Sequence, residues 1–582
     1  MKRVFCLVAL CAAACTPPPS AKERLHQLFA EAWEFELQEN PLLATTVGRT
    51  DRNHLLPSVT AEDEARRAGV RKEYLDRLRE IDPEGLSARD SISYQMFARQ
   101  LEDALSEHEF RSYLIPFNAD SGFHISLAQL PGRMPFATPK DYENYLARLR
   151  ALPLYMSQHI ELMTEGLEAG MSVPRITLEG YEATIDPHVL ESAEESVFYA
   201  PFRRFPVGVP ESEREKLRES GEEAIMESAV PAYRAFLDFF ASTYRPKART
   251  TIAASDLPRG REYYQFLIRQ FTTLDLTAGE VHQTGLREVE RIEGEMRDVI
   301  AQTGFTGDFA AFLELLRTDP RFYPKTAEEL LKEASYIAKR MDAKLPSLFK
   351  TLPRLPYGVA PVPEHIAPKY TAGRYVGPAM GSNAPGYYWV NTYQLESRTL
   401  YTLEALTLHE AVPGHHLQNA LRMELEGLPD FRRFSGIGAY GEGWGLYSER
   451  LGLEAGFYTD PYSDFGRLTY EMWRACRLVV DTGMHAMGWT REQSIEYLAS
   501  RTALSLHEVT TETDRYISWP GQALSYKMGE IQIRELREQA ERELGEKFDV
   551  REFHDVILRE GPVPLPVLAG QVEAYIRSAK SE

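Results

Sequence analysis

The stretch Leu408-His409-Glu410-Ala411-Val412-Pro413-Gly414-His415-His416-Leu417 sets a proline four residues after a histidine in an otherwise helical run. Proline cannot donate to the carbonyl four residues back, and its ring collides with it, so an unbroken helix is excluded. The following glycine lets the backbone turn. The pattern is a stretched form of H-E-x-x-H, in which two histidines one turn apart bind zinc and the glutamate activates a water. In a continuous helix His415 would lie about 240° around the axis from His409. His416 would share the face of His409 but lie about 10.5 Å along it. Neither placement shares one metal at Zn–N distances of about 2.0–2.1 Å. A bulge at Pro413-Gly414 resolves the conflict. Looping out two residues returns His415 to the second-histidine position, and looping out three returns His416. The Gly-His pair favours His415, as in H-E-x-G-H, with His416 the alternative. Against both stands a plainer reading of two unrelated histidines on a broken helix.

A catalytic zinc takes three protein ligands and keeps one position open. Gly441-Glu442-Gly443-Trp444-Gly445-Leu446-Tyr447-Ser448-Glu449 supplies two carboxylates seven residues apart, which share a helix face. Glu442 follows His415 by 27 residues, enough for a loop and an antiparallel return. It is the expected ligand, with Glu449 orienting a histidine from behind; the reverse assignment stays open. The apolar Trp444, Leu446 and Tyr447 around them weigh against two merely solvated carboxylates.

Further polar residues follow. Arg477, Asp481 and His485 fall at i, i+4 and i+8 beside an apolar stripe. A salt-bridge ladder explains the first two as well as function does. His485 is either a donor to a tetrahedral oxyanion or a satisfied core histidine. Tyr526 or Gln522, after Trp519-Pro520-Gly521, could also aim a donor at the site, and Tyr516 competes for that role.

The N-terminus reads as a targeting segment: Lys2 and Arg3, the apolar run Val4 to Ala14, then Cys15. Ala12-Ala13-Ala14-Cys15 is similar to a bacterial lipoprotein signal, with an ordinary secretory signal as runner-up. The apolar run is too short for a membrane span. Thr16-Pro17-Pro18-Pro19-Ser20 is a stiff tether. Cys6, Cys11 and Cys15 belong to the targeting segment, which leaves Cys476 alone in the body without an internal disulfide partner. A net charge of −20 weighs against nucleic acid, whose phosphates need clustered lysine and arginine.

Helical periodicity dominates from Lys22 to Tyr244 and resumes over Gly260–Thr272, Thr277–Thr303 and Thr326–Leu345. The first half carries no chemical constellation and reads as a scaffold walling a cleft. A proline-rich passage from Pro346 to Pro368 predicts extended chain with turns. Ala384-Pro385-Gly386-Tyr387-Tyr388-Trp389-Val390-Asn391 predicts a strand or hairpin, either an edge beside the zinc helix that holds a peptide or a small structural element.

Together, Gly386–Asn391, His409–Gln418, Glu442-Gly443-Trp444, Asp481–His485 and Pro520–Ala523 give the chain a resemblance to the bacterial domain of unknown function 885 family. The resemblance, which spans most of the mature chain, implies a mainly α-helical body with a deep channel and a site like that of helical zinc metallopeptidases.

The expected fold is therefore mainly α, a large helical body with a deep cleft and a small β-sheet beside a zincin-like active-site helix. The expected divisions are a signal segment 1–15, a tether 16–21, an N-terminal helical region 22–250 and a catalytic region 251–582, the last two forming separate regions or one body. The expected activity is a zinc-dependent peptidase or carboxypeptidase of the cell envelope, acting on a peptide or small amide. His409, His415 and Glu442 hold the metal, Glu410 is the general base, and Tyr526 or His485 meets the oxyanion. A lipid on Cys15 would hold the chain at a membrane, the outer membrane facing the periplasm, or else it is secreted or periplasmic. No nucleic-acid or protein partner is indicated. The rival is a lipid-tethered peptide-binding protein with a structural or vestigial metal site.

Overall fold

The computed structural model describes residues 19–364, 366–378 and 384–581. The expected signal segment 1–15, with Cys15, and residues 16–18 of the tether lie outside the described residues. Among the described residues the fold is mainly α with one three-stranded sheet. The elements that matter below are, in chain order, α1 (Ala21–Glu39), α2 (Ala61–Arg79), α3 (Ala88–Glu109), α4 (Pro139–Glu168), α5 (Gly260–Thr272), α6 (Ala278–Gln302), β1 (Tyr357–Pro361), β2 (Gly373–Val376), β3 (Gly386–Val390), α7 (Leu403–Glu410), α8 (His415–Glu424), α9 (Gly438–Ala455), α10 (Pro461–Ala486), α11 (Leu506–Ser518) and α12 (Ser525–Leu544).

Local sequence signals set many of the helix starts. Ser20 with Glu23, Thr60 with Asp63, and Thr277 with Glu280 each form a reciprocal capping box at the first turns of α1, α2 and α6. Each box satisfies backbone N–H groups that have no partner inside the helix.

The hydrophobic cores do not divide at residue 250. Leu28 of α1 and Phe97 of α3 share one core with Trp444 of α9 and Leu468 of α10. A second core, built from residues 117–248 around Tyr145, Phe202, Tyr233 and Phe236, stands on its own. The expected region 22–250 is thus split: its first helices belong to the same core as the later part of the chain. The apolar faces of α1 and α3 are buried against that part and have no core of their own, which a periodicity reading cannot detect.

The sheet decides between the two readings of the Ala384–Asn391 stretch. Its order is β1-β3-β2, with β1 parallel and β2 antiparallel to β3. The Ala384–Asn391 stretch therefore supplies the central strand, hydrogen-bonded on both sides, and not an edge. The proline-rich passage provides β1, and the strand next to Glu410 is β2.

Two adjoining cavities, of about 560 and 480 Å³, share Arg71, Ala104, Glu107, Gln270 and Phe271. They form a cleft between α2 and α3 on one side and α5 on the other. The larger is bordered by Gly438, one turn before Glu442 on α9.

Candidate metal centre

Helix α7 ends at Glu410 and α8 begins at His415, so the break falls on residues 411–414. Within it the Val412–Pro413 peptide is cis. The N–H of Gly414 donates to the carbonyl of Leu408 at 3.0 Å, and that of His416 to Ala411 at 3.1 Å. These bonds span six and five residues where a regular helix spans four. The widened turn passes so close to His409 that a Cβ on Gly414 would stand 1.9 Å from the His409 carbonyl oxygen. A side chain at 414 is thus excluded by space, and the buried Trp444 indole fastens the bulge by donating to the Pro413 carbonyl at 2.9 Å.

The bulge brings the His415 ring to 4.7 Å from that of His409, nearly perpendicular to it. Glu442 Oε2 lies 3.6 Å from His409 Nε2 and 3.5 Å from His415 Nε2. One ligand atom from each of the three residues falls within 4.8 Å of the others. A tetrahedron with metal–ligand bonds of about 2.0–2.1 Å has edges of about 3.3–3.4 Å, so the two measured edges fit that donor set. His409 is buried, whereas the side chains of His415 and Glu442 retain 17% and 27% exposure, so the cluster opens on their side.

Behind the cluster, His409 Nδ1 pairs with Glu449 at 2.8 Å. Glu449 is thus the carboxylate that fixes the ring, leaving Nε2 toward Glu442. His416 turns away: its ring packs against those of Tyr357 and Tyr375, and burial pushes it down to about 4. Glu410 sits apart from the three, with Oε2 accepting from the N–H of Tyr375 at 2.8 Å. That contact from β2 had no signal in the sequence, because a backbone donor carries no residue signature.

Burial works against a charge on His409, but the Glu442 carboxylate 3.6 Å away and the hydrogen bond with Glu449 outweigh it and hold its imidazolium up to about 10. Without metal, His409 therefore carries a proton at neutral pH, and that proton stabilises the fold below about 6.5 and ceases to do so as pH rises through about 10. A histidine that binds a metal must be neutral. Zinc binding at pH 7 is thus expected to release about one proton from His409. Calorimetry in two buffers of different ionisation enthalpy measures this; a binding heat independent of buffer would contradict it.

Close packing holds the ring as well. A Cβ at Gly445 would lie 2.6 Å from His409 Cε1 and 2.8 Å from Nε2. Gly445→Ala gains up to ~1 kcal/mol of helix propensity yet must displace the His409 ring. Its zinc affinity is expected to fall by about 10- to 100-fold, measured by competition with a chromogenic chelator while circular dichroism stays unchanged. Parental affinity would show that the ring position is not critical.

Tyr526 on α12 is partly exposed, and its hydroxyl makes no hydrogen bond to the described residues. Burial and then the charge of Glu442 push its pKa up, so it stays a donor. His485 is placed otherwise than an oxyanion donor requires. Its Nδ1 accepts from the Ala254 N–H at 3.0 Å and its Nε2 pairs with the Tyr516 carbonyl at 3.0 Å. Both nitrogens are committed to backbone, and burial pushes the ring down to about 3, so it is a neutral core histidine. Tyr516 is equally occupied by Trp473, Arg477 and Glu512, and the Gln522 carbonyl accepts from Arg515. Arg477 and Asp481 do not form a ladder: Arg477 pairs with Glu512, while Asp481 takes the Tyr264 hydroxyl and the Gly521 N–H. The lone Cys476 is buried, which pushes its thiol up to about 12.

A second convergence, Glu288, Glu471 and Glu530, also has the spacing of a metal site. Its centre is already taken, because the Lys527 ammonium lies 3.0, 2.8 and 2.8 Å from the three carboxylates.

Two solved structures are similar to this chain over nearly its whole length. One, described as "the putative lipoprotein from Colwellia psychrerythraea", is 30% identical, covers 96% of this chain and 100% of its own, and superposes with a TM-score of 0.89. The other, "a putative lipoprotein of unknown function from Shewanella oneidensis", is 19% identical over 95% of this chain and 99% of its own, with a TM-score of 0.72. At that identity the second likeness concerns the fold alone. No curated protein matches the chain. The family model described as "Bacterial protein of unknown function (DUF885)" matches residues 41–572, and the chain belongs to that family.

Proposed function

We propose that this protein is a zinc-dependent hydrolase of the cell envelope whose substrates are peptides. The observation that carries the reading is the convergence of His409 Nε2, His415 Nε2 and Glu442 Oε2 at tetrahedral-edge spacing, open on one side, with Glu410 next in sequence to the first histidine. Two imidazoles and one carboxylate, with Glu449 behind one ring, are a donor set suited to catalytic zinc. A purely structural site has no use for an open side or an adjacent carboxylate that is not a ligand, which weighs against a binding protein with a vestigial metal.

Zinc held there would supply the positive charge that brings the pKa of water toward ~7 and polarises a carbonyl. The chain's own residues do the rest. Glu410, fixed through Oε2 by the Tyr375 N–H, has its other oxygen free to take a proton from the attacking water and hand it to the leaving amine. Tyr526, kept protonated, donates its hydroxyl hydrogen to the oxygen on which charge develops.

The envelope location rests on the lipoprotein-like Ala12-Ala13-Ala14-Cys15 and on the description of the 30% identical structure as a lipoprotein. Among the described residues no helix is long and apolar enough to cross a membrane; the proposed anchor is a lipid on Cys15.

The test is metal analysis of the purified protein followed by digestion of a peptide library. About one zinc per chain, with cleavage stopped by a chelator and restored by zinc, is the expected result. No metal after zinc is supplied would overturn the reading. Zinc with tight peptide binding but no cleavage would establish the binding protein instead.

A further inference from the structure

Beside the metal-ligand cluster the protein gathers more guanidinium donors than it satisfies. Arg474 and Arg477 on α10 have side chains only 7% and 3% exposed. Arg477 gives Nε to the Tyr516 hydroxyl and Nη2 to Glu512, while its Nη1 is buried without a partner. Arg474 Nε is likewise buried and unpartnered. Half-buried Arg398, after the turn Leu395–Ser397, donates only Nε, to the Tyr393 carbonyl. Its two terminal nitrogens meet no acceptor among the described residues. Arg515, by contrast, is fully engaged by Glu512 and Gln522.

The available counter-charge does not close this gap. Glu512 is shared between Arg477 and Arg515. The carboxylate of Glu508, one turn earlier on α11, makes no hydrogen bond or ion pair among the described residues. Burial and the neighbouring Glu512 push it up to about 7, against the pull of Arg398, Arg474 and Arg477. Buried donors without acceptors are rare in native proteins, and several from one side-chain group call for an explanation. An anion received between them is the simplest one, since arginine forks match carboxylates in charge and geometry.

The group is placed where a substrate end would fall. Arg474 Nη2 lies 3.9 Å from Glu449 Oε1, the oxygen that holds His409. The Arg477 guanidinium carbon lies 4.4 Å from the centre of the Tyr526 ring, and Tyr526 in turn feels the charge of Glu442. The arginines are thus one side-chain layer from the ligands. With successive Cα atoms 3.80 Å apart, that layer corresponds to about one or two residues of extended chain.

We propose that Arg398, Arg474 and Arg477 form a carboxylate-binding subsite that receives the C-terminal carboxylate of a peptide and directs hydrolysis to its last one or two residues. The proposal rests on the peptidase reading above. Arg398, the more accessible member, makes the first contact, and the buried pair supplies positive charge behind it.

The test compares a short peptide bearing a free C-terminal carboxylate with the same peptide as its C-terminal amide. Both are assayed with the zinc-loaded parent chain, and both are titrated calorimetrically into zinc-loaded Glu410→Gln. The free acid is expected to be preferred about 10- to 100-fold in kcat/KM and in affinity, the range of a charge-assisted hydrogen bond. Arg398→Gln should bring the two peptides within about threefold, chiefly by raising KM for the acid. Arg477→Lys, which keeps the charge but not the fork, should reduce the preference part of the way. Equal treatment of acid and amide by an active parent, or an unchanged preference in Arg398→Gln, would overturn the subsite while leaving the hydrolase standing. A preference for the acid in binding with no cleavage by the parent would do the reverse.

Discussion

Glu410→Gln is expected to retain about one zinc per chain and to lose hydrolysis by about 10²- to 10⁴-fold, the usual contribution of a positioned general base. The separation of metal from activity follows from the geometry. Glu410 is not among the three converging residues, and its Oε2 is occupied by the Tyr375 N–H. Glutamine can accept that same hydrogen bond through its amide oxygen and fill the same volume, so the buried α7 terminus has no reason to shift. What glutamine cannot do is take a proton. His409→Ala is expected to lose both zinc and activity, and it also leaves Glu449 buried without its partner. The pair of variants is read by metal analysis and a peptide-cleavage assay on the same preparations. Parental activity in Glu410→Gln would sink the general-base role, and full zinc in His409→Ala would sink the ligand role.

Different physical signals made different parts of this site readable in the sequence. Pro413-Gly414 is a covalent constraint on the backbone, so the bulge between His409 and His415 could be argued from two residues alone. The seven-residue spacing of Glu442 and Glu449 is likewise local to one helix. The roles beyond that depend on long-range packing. His485 shares a helix face with Arg477 and Asp481, but what its nitrogens meet is decided by Ala254 and Tyr516, 231 and 31 residues away. Nothing in the α10 sequence tells a satisfied core histidine from an aimed one. The central place of β3 was not legible for a similar reason: aromatic and β-branched residues mark it as a strand, while its position depends on β1, drawn from a passage whose prolines mask it. The sharing of one core by α1, α3 and α9 is invisible to periodicity, which reports that a helix has an apolar face but not what covers it.

Three helices that bear on the site meet at a point where their own positions are fixed by charge. Lys527 of α12 is fully buried against Glu288 of α6, Glu471 of α10 and Glu530 of its own helix. Arg291 and Arg467 bind Glu471 in turn, and Arg534 lies 3.3 Å from Glu530. Tyr526 is the residue before Lys527, and Arg474 and Arg477 lie about one and two turns beyond Glu471. The network therefore sets the spacing between the proposed donor and the proposed carboxylate subsite.

Lys527→Met is accordingly expected to destabilise the protein by about 3–5 kcal/mol, the cost of removing one partner from a buried ion cluster. The methionine fills much of the volume, so the loss is electrostatic: three carboxylates are left facing one another with too little positive charge between them. The pH dependence supplies the sign. Burial disfavours charge on Glu288, but its hydrogen bond with Arg291 and the Lys527 charge outweigh this and hold it at about 2, and Glu471 is also held well below the usual range. In the parent, the stability these depressed carboxylates contribute is present above about 4.5 and is lost as pH falls toward about 2. Without Lys527 the carboxylates rise toward ordinary values or above, so the deficit of the variant should be largest at neutral pH and shrink on acidification. Adding Glu471→Gln to Lys527→Met should recover part of the loss by removing one of the facing charges. Urea unfolding followed by tryptophan fluorescence at pH 7 and pH 5 decides the matter. A Lys527→Met midpoint within the equivalent of about 1 kcal/mol of the parent, or a deficit that grows as pH falls, would show that the cluster is not what holds α6, α10 and α12 in register.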